Sequence, residues 1–175
     1  MRRGGNTDLL AQAFANGAKE NNDVEILSVA DYNVKPCIGC NTCFTREGNA
    51  CFQKDDMTEI YEKLRTADVL VIASPVYFYG ISAELKAVID RLHTPMRDTF
   101  QIKKLALLLV GAATLPELFD AIKVQYRLAL NFFHLENGGM VLVKGVKDKG
   151  DIKNTNALNE AFALGQTMKK GDNKI

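Results

Sequence analysis

A chain of 175 residues is long enough for one ordinary domain that buries most of its apolar surface, and its 47% hydrophobic and 25% charged residues give a soluble globular balance. Its 22 basic and 21 acidic residues leave a formal net charge of +1 and are spread along the chain, so no electrostatic case arises for nucleic acid or a membrane surface. The start, MRRGGNTDLL, lacks the apolar core of a signal peptide, and the longest apolar run, Leu105 to Val110, is far too short to span a bilayer, so a cytoplasmic protein is expected.

In chain order, Leu9, Leu10, Ala13, Phe14 and Gly17 predict a first helix. Asp23–Val29 alternates partly between apolar and polar residues, as a half-exposed strand does. Ile60, Tyr61 and Leu64 form a helical face after Asp56-Met57-Thr58-Glu59, which reads as an N-cap with a glutamate three residues on. Val69–Ala73 and Leu105–Val110 are continuous apolar runs, the pattern of strands buried on both faces of a parallel sheet, and Met140–Val143 is a shorter one. Between them, Leu85, Val88, Ile89 and Leu92 mark one helix, Leu118 to Phe133 another and Ala157 to Met168 a last one. The polar tail from Lys169 to Ile175 is expected to fray.

No internal repeat or linker divides the chain, so residues 1–175 are read as one domain with a cysteine-rich loop, 36–54, set into it. Alternating helices and buried strands predict a doubly wound α/β parallel sheet. Such sheets bind ligands beyond the carboxyl ends of their strands, which directs the search for function to the loops found there.

Three constellations stand out. Arg2-Arg3-Gly4-Gly5-Asn6-Thr7 runs straight into the first helix. It suits a phosphate, with glycines for close backbone approach, free N–H groups at the helix start, and side-chain donors from Asn6, Thr7 and the arginines. It equally suits an N-cap after a flexible start. Ser74-Pro75-Val76-Tyr77-Phe78-Tyr79-Gly80 follows the strand Val69–Ala73 and places three aromatics where a flat ring system would fit, or where they would pack the loop on its neighbours. Finally, all four cysteines fall in one window, with Cys37, Cys40 and Cys43 in C-x2-C-x2-C spacing and Cys51 seven residues on. In a reducing compartment such crowding points to metal or redox chemistry rather than structural disulfides. The first three can place thiolates around a 4Fe–4S cluster, with Gly39 letting the loop curl and Cys51 as the fourth ligand. Zinc, which more often takes two separated C-x2-C pairs, and four reduced thiols in a packed loop stay open.

The remaining candidates are quieter. Gly111-Ala112-Ala113-Thr114 follows Leu105–Val110 and can offer backbone N–H groups to the same site. His93 and His134 are read as packing or capping residues. No Ser, His and Asp arrangement announces hydrolysis, and G-x-G-x-x-G and Walker motifs are absent.

With these residues in view, the chain resembles the NAD(P)H-dependent FMN reductase and iron–sulfur flavoprotein branch of the flavodoxin-like superfamily, from Arg2 to about Val143. Arg2 to Thr7 resembles the end of that family's phosphate loop, G-S-P-R-x-G-x-N-T. Ser74 to Gly80, with Ala83-Glu84-Leu85-Lys86 and Asp90-Arg91, resembles its flavin-ring loop and following helix, and Asp55-Asp56-Met57 is also familiar from it. The resemblance implies that Arg2, Asn6 and Thr7 bind the FMN phosphate, that Pro75, Val76, Tyr77 and Phe78 line the isoalloxazine ring, and that Gly111 and Ala112 border it. The compact cysteine run is similar to the one that holds a 4Fe–4S cluster in iron–sulfur flavoproteins, with a longer gap before Cys51 than in the best-known members. A homodimer or homotetramer is also implied. The family begins with a buried strand ending in G-S-P; the sequence starts at Met1 where that proline would stand, so a flavodoxin-like sheet without that central strand is expected, with Asp23–Val29 and Val69–Ala73 deprived of the partner between them.

The expected function is an FMN oxidoreductase, with the chemistry on the flavin and no catalytic side chain. NAD(P)H or a ferredoxin-type carrier would donate electrons. The rivals are an FMN-dependent NAD(P)H reductase without a cluster, acting on quinones, flavins or nitro compounds, and a non-catalytic zinc or interaction module on a degenerate flavodoxin fold.

Overall fold

The computed structural model describes residues 3–169; Arg2 and the tail from 170 onward lie outside the described residues. Three parallel strands make the sheet, β1 (Val69–Pro75), β2 (Lys104–Val110) and β3 (Glu136–Val143), in the order β1-β2-β3. β1 pairs in register from Val69 opposite Lys104 to Pro75 opposite Val110. β3 pairs from Glu136 opposite Lys104 to Val143 opposite Val110, with an irregularity between Leu105 and Leu107. There the Leu105 carbonyl accepts the Tyr126 hydroxyl.

The uninterrupted apolar run of β2 has a direct structural cause. Its alternate side chains enter different layers: Ala106, Leu108 and Val110 one core, Leu105, Leu107 and Leu109 another, and all six are buried. The first layer is closed by α1 (Asn6–Ala18) and α5 (Ala157–Gln166), through Leu10, Phe14, Ala157 and Ala161. The other face carries α4 (Asp120–Phe133), through Ile122 and Tyr126. Beside it lie α2 (Met57–Thr66) and α3 (Ala83–Asp90), which share a cluster of Ile60, Tyr61, Leu64 and Val88 with Leu70 of β1. Helices cover both faces, and the sheet is doubly wound.

Two expectations need correction. Asp23–Val29 is not a strand: residues 23–28 take no regular structure, and a single 3-10 turn begins at Val29. Its alternation positions Val24 against the core, but a strand needs a ladder partner, and none of the described strands lies there. For the same reason Val69–Ala73 is half-exposed rather than buried, because among the described residues β1 pairs with β2 alone. Asp56 does stand at the N-cap of α2, with Glu59 three residues on, but its side chain makes no capping bond. The Asp56 carboxylate accepts from the Asn33 N–H, and it is Asp55 that accepts from Met57 N at 3.3 Å. Ser82 does cap α3, accepting from Leu85 N, and α4 ends on His134 in the left-handed conformation.

Candidate functional site

The carboxyl ends of β1 and β2 and the start of α1 enclose a cavity of about 270 Å³. On one side stand Pro75, Val76 and Tyr77, with Val110 and Ala112 at the end of β2; on the other stand Gly5, Asn6 and Thr7, with Val146 and Lys147. Most residues expected at a ligand site are thus brought together although they are spread over more than a hundred positions.

The loop after β1 is held by Ser74, which is fully buried. Its hydroxyl donates to Pro75 O at 2.8 Å and accepts from Ser82 N at 3.0 Å, closing the loop upon itself. Within it, Tyr77 and Gly80 exchange backbone hydrogen bonds of 2.9 and 3.0 Å around Phe78 and Tyr79, whose φ angles are +47° and +64°. Two left-handed residues in a two-residue turn is the type I′ geometry, which favours Asn and Gly and strains bulky side chains. The turn aims Tyr77 at the cavity and turns Phe78 away, 98% exposed. Phe78, expected to line the flavin ring, does not line the cavity.

At the other wall, Gly4 takes φ +68° and donates its N–H to the Asp8 carboxylate at 2.6 Å. Gly5 is the extended N-cap residue of α1, and the first-turn N–H groups of a helix have no partners within it. Thr7 is buried at the rim. Asn6 lines the cavity and also holds the turn beside it. Its amide donates to Asp148 O at 2.8 Å, and its carbonyl oxygen accepts from Gly150 N at 2.9 Å and Ile152 N at 3.4 Å. The side chain staples the 148–152 turn to the start of α1. Asp151 completes the turn by accepting from Lys147 N and Asp148 N, and Lys147 arrives beside the helix start. Gly111 spends its N–H on Val143 O at 2.8 Å, and a Cβ there would lie 2.6 Å from Leu118; Ala112 is the member of that pair at the cavity.

Val110, Val146 and Lys147 were missed in the sequence. The rule that ligands sit beyond strand carboxyl ends applies equally to β3, so the charged turn after Val143 was the available signal.

No residue of the cysteine loop is among those lining this cavity. Cys37 and Cys40 are exposed, Cys43 and Cys51 half-buried, and all four are free thiols. Left-handed residues Gly39, Asn41, Gly48 and Asn49 fold the loop into short turns. Hydrogen bonding from Thr42, whose hydroxyl lies 3.1 Å from the Cys40 sulfur, lowers the Cys40 thiol below its ordinary pKa. Among the described residues no three His, Cys, Asp or Glu side chains converge as a metal-ligand set, so Cys37, Cys40, Cys43 and Cys51 share a loop without being gathered around one point. His93 is a packing residue, between Phe44 of the loop at 5.9 Å and Phe132 of α4 at 5.6 Å. No described helix is long and apolar enough to cross a membrane.

The chain is similar to known flavoproteins in sequence and in fold. An iron-sulfur flavoprotein of Methanocaldococcus jannaschii is 44% identical over 100 residues, 57% of this chain and 50% of that protein. The chain spans about half the length of the curated iron-sulfur flavoproteins it matches first. A Bacillus subtilis protein named as an NAD(P)H-dependent FMN-containing oxidoreductase is 26% identical across 98% of this chain and 93% of its own. In fold, the chain is similar to an NAD(P)H:quinone oxidoreductase from Methanothermobacter marburgensis, with a TM-score of 0.74 at 17% identity, covering 97% of this chain and 92% of that one. The family model for NADPH-dependent FMN reductases matches residues 1–146, which takes in the cysteine loop and every residue named at the cavity except Lys147. The sheet is flavodoxin-like, and the chain belongs to the NADPH-dependent FMN reductase family.

Proposed function

We propose that this chain is an FMN-dependent oxidoreductase that takes electrons from NAD(P)H and carries a 4Fe–4S cluster on Cys37, Cys40, Cys43 and Cys51. The observation that carries the FMN reading is the cavity itself, which joins a helix start and Lys147 on one wall to Pro75, Val76 and Tyr77 on the other. A phosphate and a flat apolar ring ask for those two kinds of wall. When bound, FMN supplies hydride and single-electron chemistry. The protein's task is position and charge. Gly5 and Thr7 present the start of α1 to the phosphate, Lys147 faces the same charge, and Asn6 holds the turn that brings Lys147 there. Pro75, Val76, Tyr77 and Ala112 border the ring and keep water from one side of it.

The donor set fits an iron–sulfur cluster in kind: four soft, free thiols within one loop, with no histidine among them. The open placement of the thiols favours a second reading, an FMN reductase without a cluster. The two separate in a visible spectrum of anaerobically purified protein, with iron, sulfide and flavin assayed on the same sample. Flavin bands with a broad shoulder and about four irons per chain support the cluster; flavin without iron leaves the simple reductase. Flavin bleaching by NADH or NADPH tests the donor, and a colourless protein that binds no added FMN would sink both readings.

A further inference from the structure

The outer side of α4 carries apolar residues that the described residues of the chain leave uncovered. Val124, Leu128 and Phe132 recur at every fourth position, so they stack into one ridge along the helix, and they are 47%, 57% and 47% exposed. Ile122 and Tyr126, turned away from the ridge, are the residues of α4 that enter the core. Beside the ridge runs a groove of about 480 Å³ between α3 and α4. Ile89, Asp90, His93, Ala129 and Phe133 line it, and Leu128 and Phe132 form its near bank. His93 closes one side of the groove, standing between Phe132 at 5.6 Å and Phe44 at 5.9 Å.

A single exposed leucine needs no explanation, but a ridge and a groove side by side make a contiguous apolar face, and such faces mark interaction sites. The charges around it narrow the partner. Lys86 pairs with Asp90, Lys123 with Asp120 at 2.7 Å, and Arg97 with Asp98 at 3.8 Å while lying over the Phe132 ring. Arg91, next to Asp90 in the chain, turns inward to the buried Asp55. A rim with its charges matched in this way offers no field to a nucleic acid or a strongly charged protein. Among the described residues no ion pair engages Arg127. Helix residues advance by about 100° each, so Arg127 and Ala129 flank Leu128 on opposite sides. Ala129 lines the groove, and Arg127 therefore stands on the outer flank of the ridge.

We propose that this face is the contact of a homodimer: a two-fold axis along α4, between ridge and groove, sets Val124, Leu128 and Phe132 of each copy into the groove of the other. The partner is a second copy because the face is its own complement. It carries the projecting and the receiving surface side by side, as an isologous contact requires. The charges fit the same placement. A ridge seated in the groove carries its outer flank across to the α3 side, where Asp90 lies. The partner's Arg127 meets Asp90 there, and by symmetry the contact is made twice. None of these residues lines the cavity at the strand ends, so the inference does not depend on what that cavity binds.

Sedimentation equilibrium on the full chain, from about 1 to 100 µM, reads the association directly. Wild type is expected to be dimeric in the upper part of that range. Leu128→Glu sets a charge in the centre of the ridge and should weaken association about a hundredfold. Leu128 is exposed in the single copy, so the circular dichroism of this variant should match wild type. Arg127→Gln and Asp90→Asn should each weaken the dimer about fivefold, the worth of one exposed pair. The double variant should be no weaker than either single one, because both lose the same contact. If Leu128→Glu loses its helical signal, the Arg127 and Asp90 variants decide the matter. Additive losses in the double variant would overturn the two-fold placement. A folded Leu128→Glu protein that dimerises like wild type would assign the contact to another face, and a wild-type monomer throughout the range would leave the groove to a different partner; either result overturns the inference.

Discussion

Gly17 of α1 and Gly165 of α5 lie at a crossing of two helices with no room for a side chain. A Cβ on Gly17 would come within 2.0 Å of Phe162 O, and one on Gly165 within 2.1 Å of Phe14 O. In isolation, alanine would favour either helix by about 1 kcal/mol; here the obstacle is backbone, which cannot swing aside. Gly165→Ala is expected to destabilise by about 2 kcal/mol net, lowering the melting temperature by about 4–8 °C for a chain of this size. A thermal melt checks it, and a rise in stability would mean that the crossing is looser than described.

Tyr61 gives an alkaline signature. Burial pushes its phenol from 10.0 up to about 12, against the opposing charge of Arg91. The folded state therefore prefers the neutral phenol. Its contribution is fully present below pH 10 and is lost as the pH climbs toward about 12. Tyr61→Phe should lose about 1 kcal/mol at neutral pH with the hydrogen bond to Arg91 O. Between pH 8 and 11 it should then lose less stability than wild type does. Urea midpoints at the two pH values measure the difference.

The Tyr77–Gly80 turn separates two neighbouring aromatics. Replacing Phe78-Tyr79 by Asn-Gly removes side chains from two left-handed positions and should stabilise the fold by about 1 kcal/mol. FMN affinity, followed by flavin fluorescence quenching, should stay within twofold of wild type. Tyr77→Ala, at the cavity wall, should weaken FMN binding by about tenfold, as expected when one aromatic contact of about 1.4 kcal/mol is lost.

Asn6 and Lys147 divide structure from recognition. Asn6→Ala breaks a donor and two acceptor contacts in a buried setting, so a loss of about 2 kcal/mol is expected together with weaker FMN binding. Lys147→Gln leaves the staple intact. It should keep the apoprotein's melting temperature and lower FMN affinity by about fivefold, the worth of one exposed charge contact. Loss of stability in Lys147→Gln would place that residue in the turn's framework instead.

Much of this was legible in the chain. The apolar run 105–110 announced β2 because both of its faces are packed, and the face Leu85, Val88, Ile89, Leu92 announced α3 because it repeats at helical spacing. Pro75, Val76, Tyr77 and Ala112 stand out in the sequence because they follow apolar strands, and all four line the cavity. What pattern could not show was partnership. Asp23–Val29 alternates as a strand should, yet alternation reports a half-buried surface and not a ladder. Asn6 has the chemistry of a phosphate ligand, and only the fold reveals that residues 148, 150 and 152 already occupy it. Phe78 sits between two aromatics in the sequence, and the sign of its φ angle decides where it points. Asp55 and Arg91 are thirty-six positions apart, and their pairing was invisible to spacing.

Among the described strands one has neighbours on both sides, and that asymmetry is expected to order how they open. β2 is bonded along both edges and buried on both faces, whereas β1 and β3 are each bonded along one. Local opening frees edge amides long before central ones. In deuterated solvent the amides from Leu105 to Val110 should be the last to exchange, at the rate set by global unfolding, with those of β1 giving way earlier. Since β1 carries the Ser74 loop and β2 leads into Ala112, the same order of exchange is expected to run across the cavity. Its aromatic wall can loosen while the framework behind it stays folded.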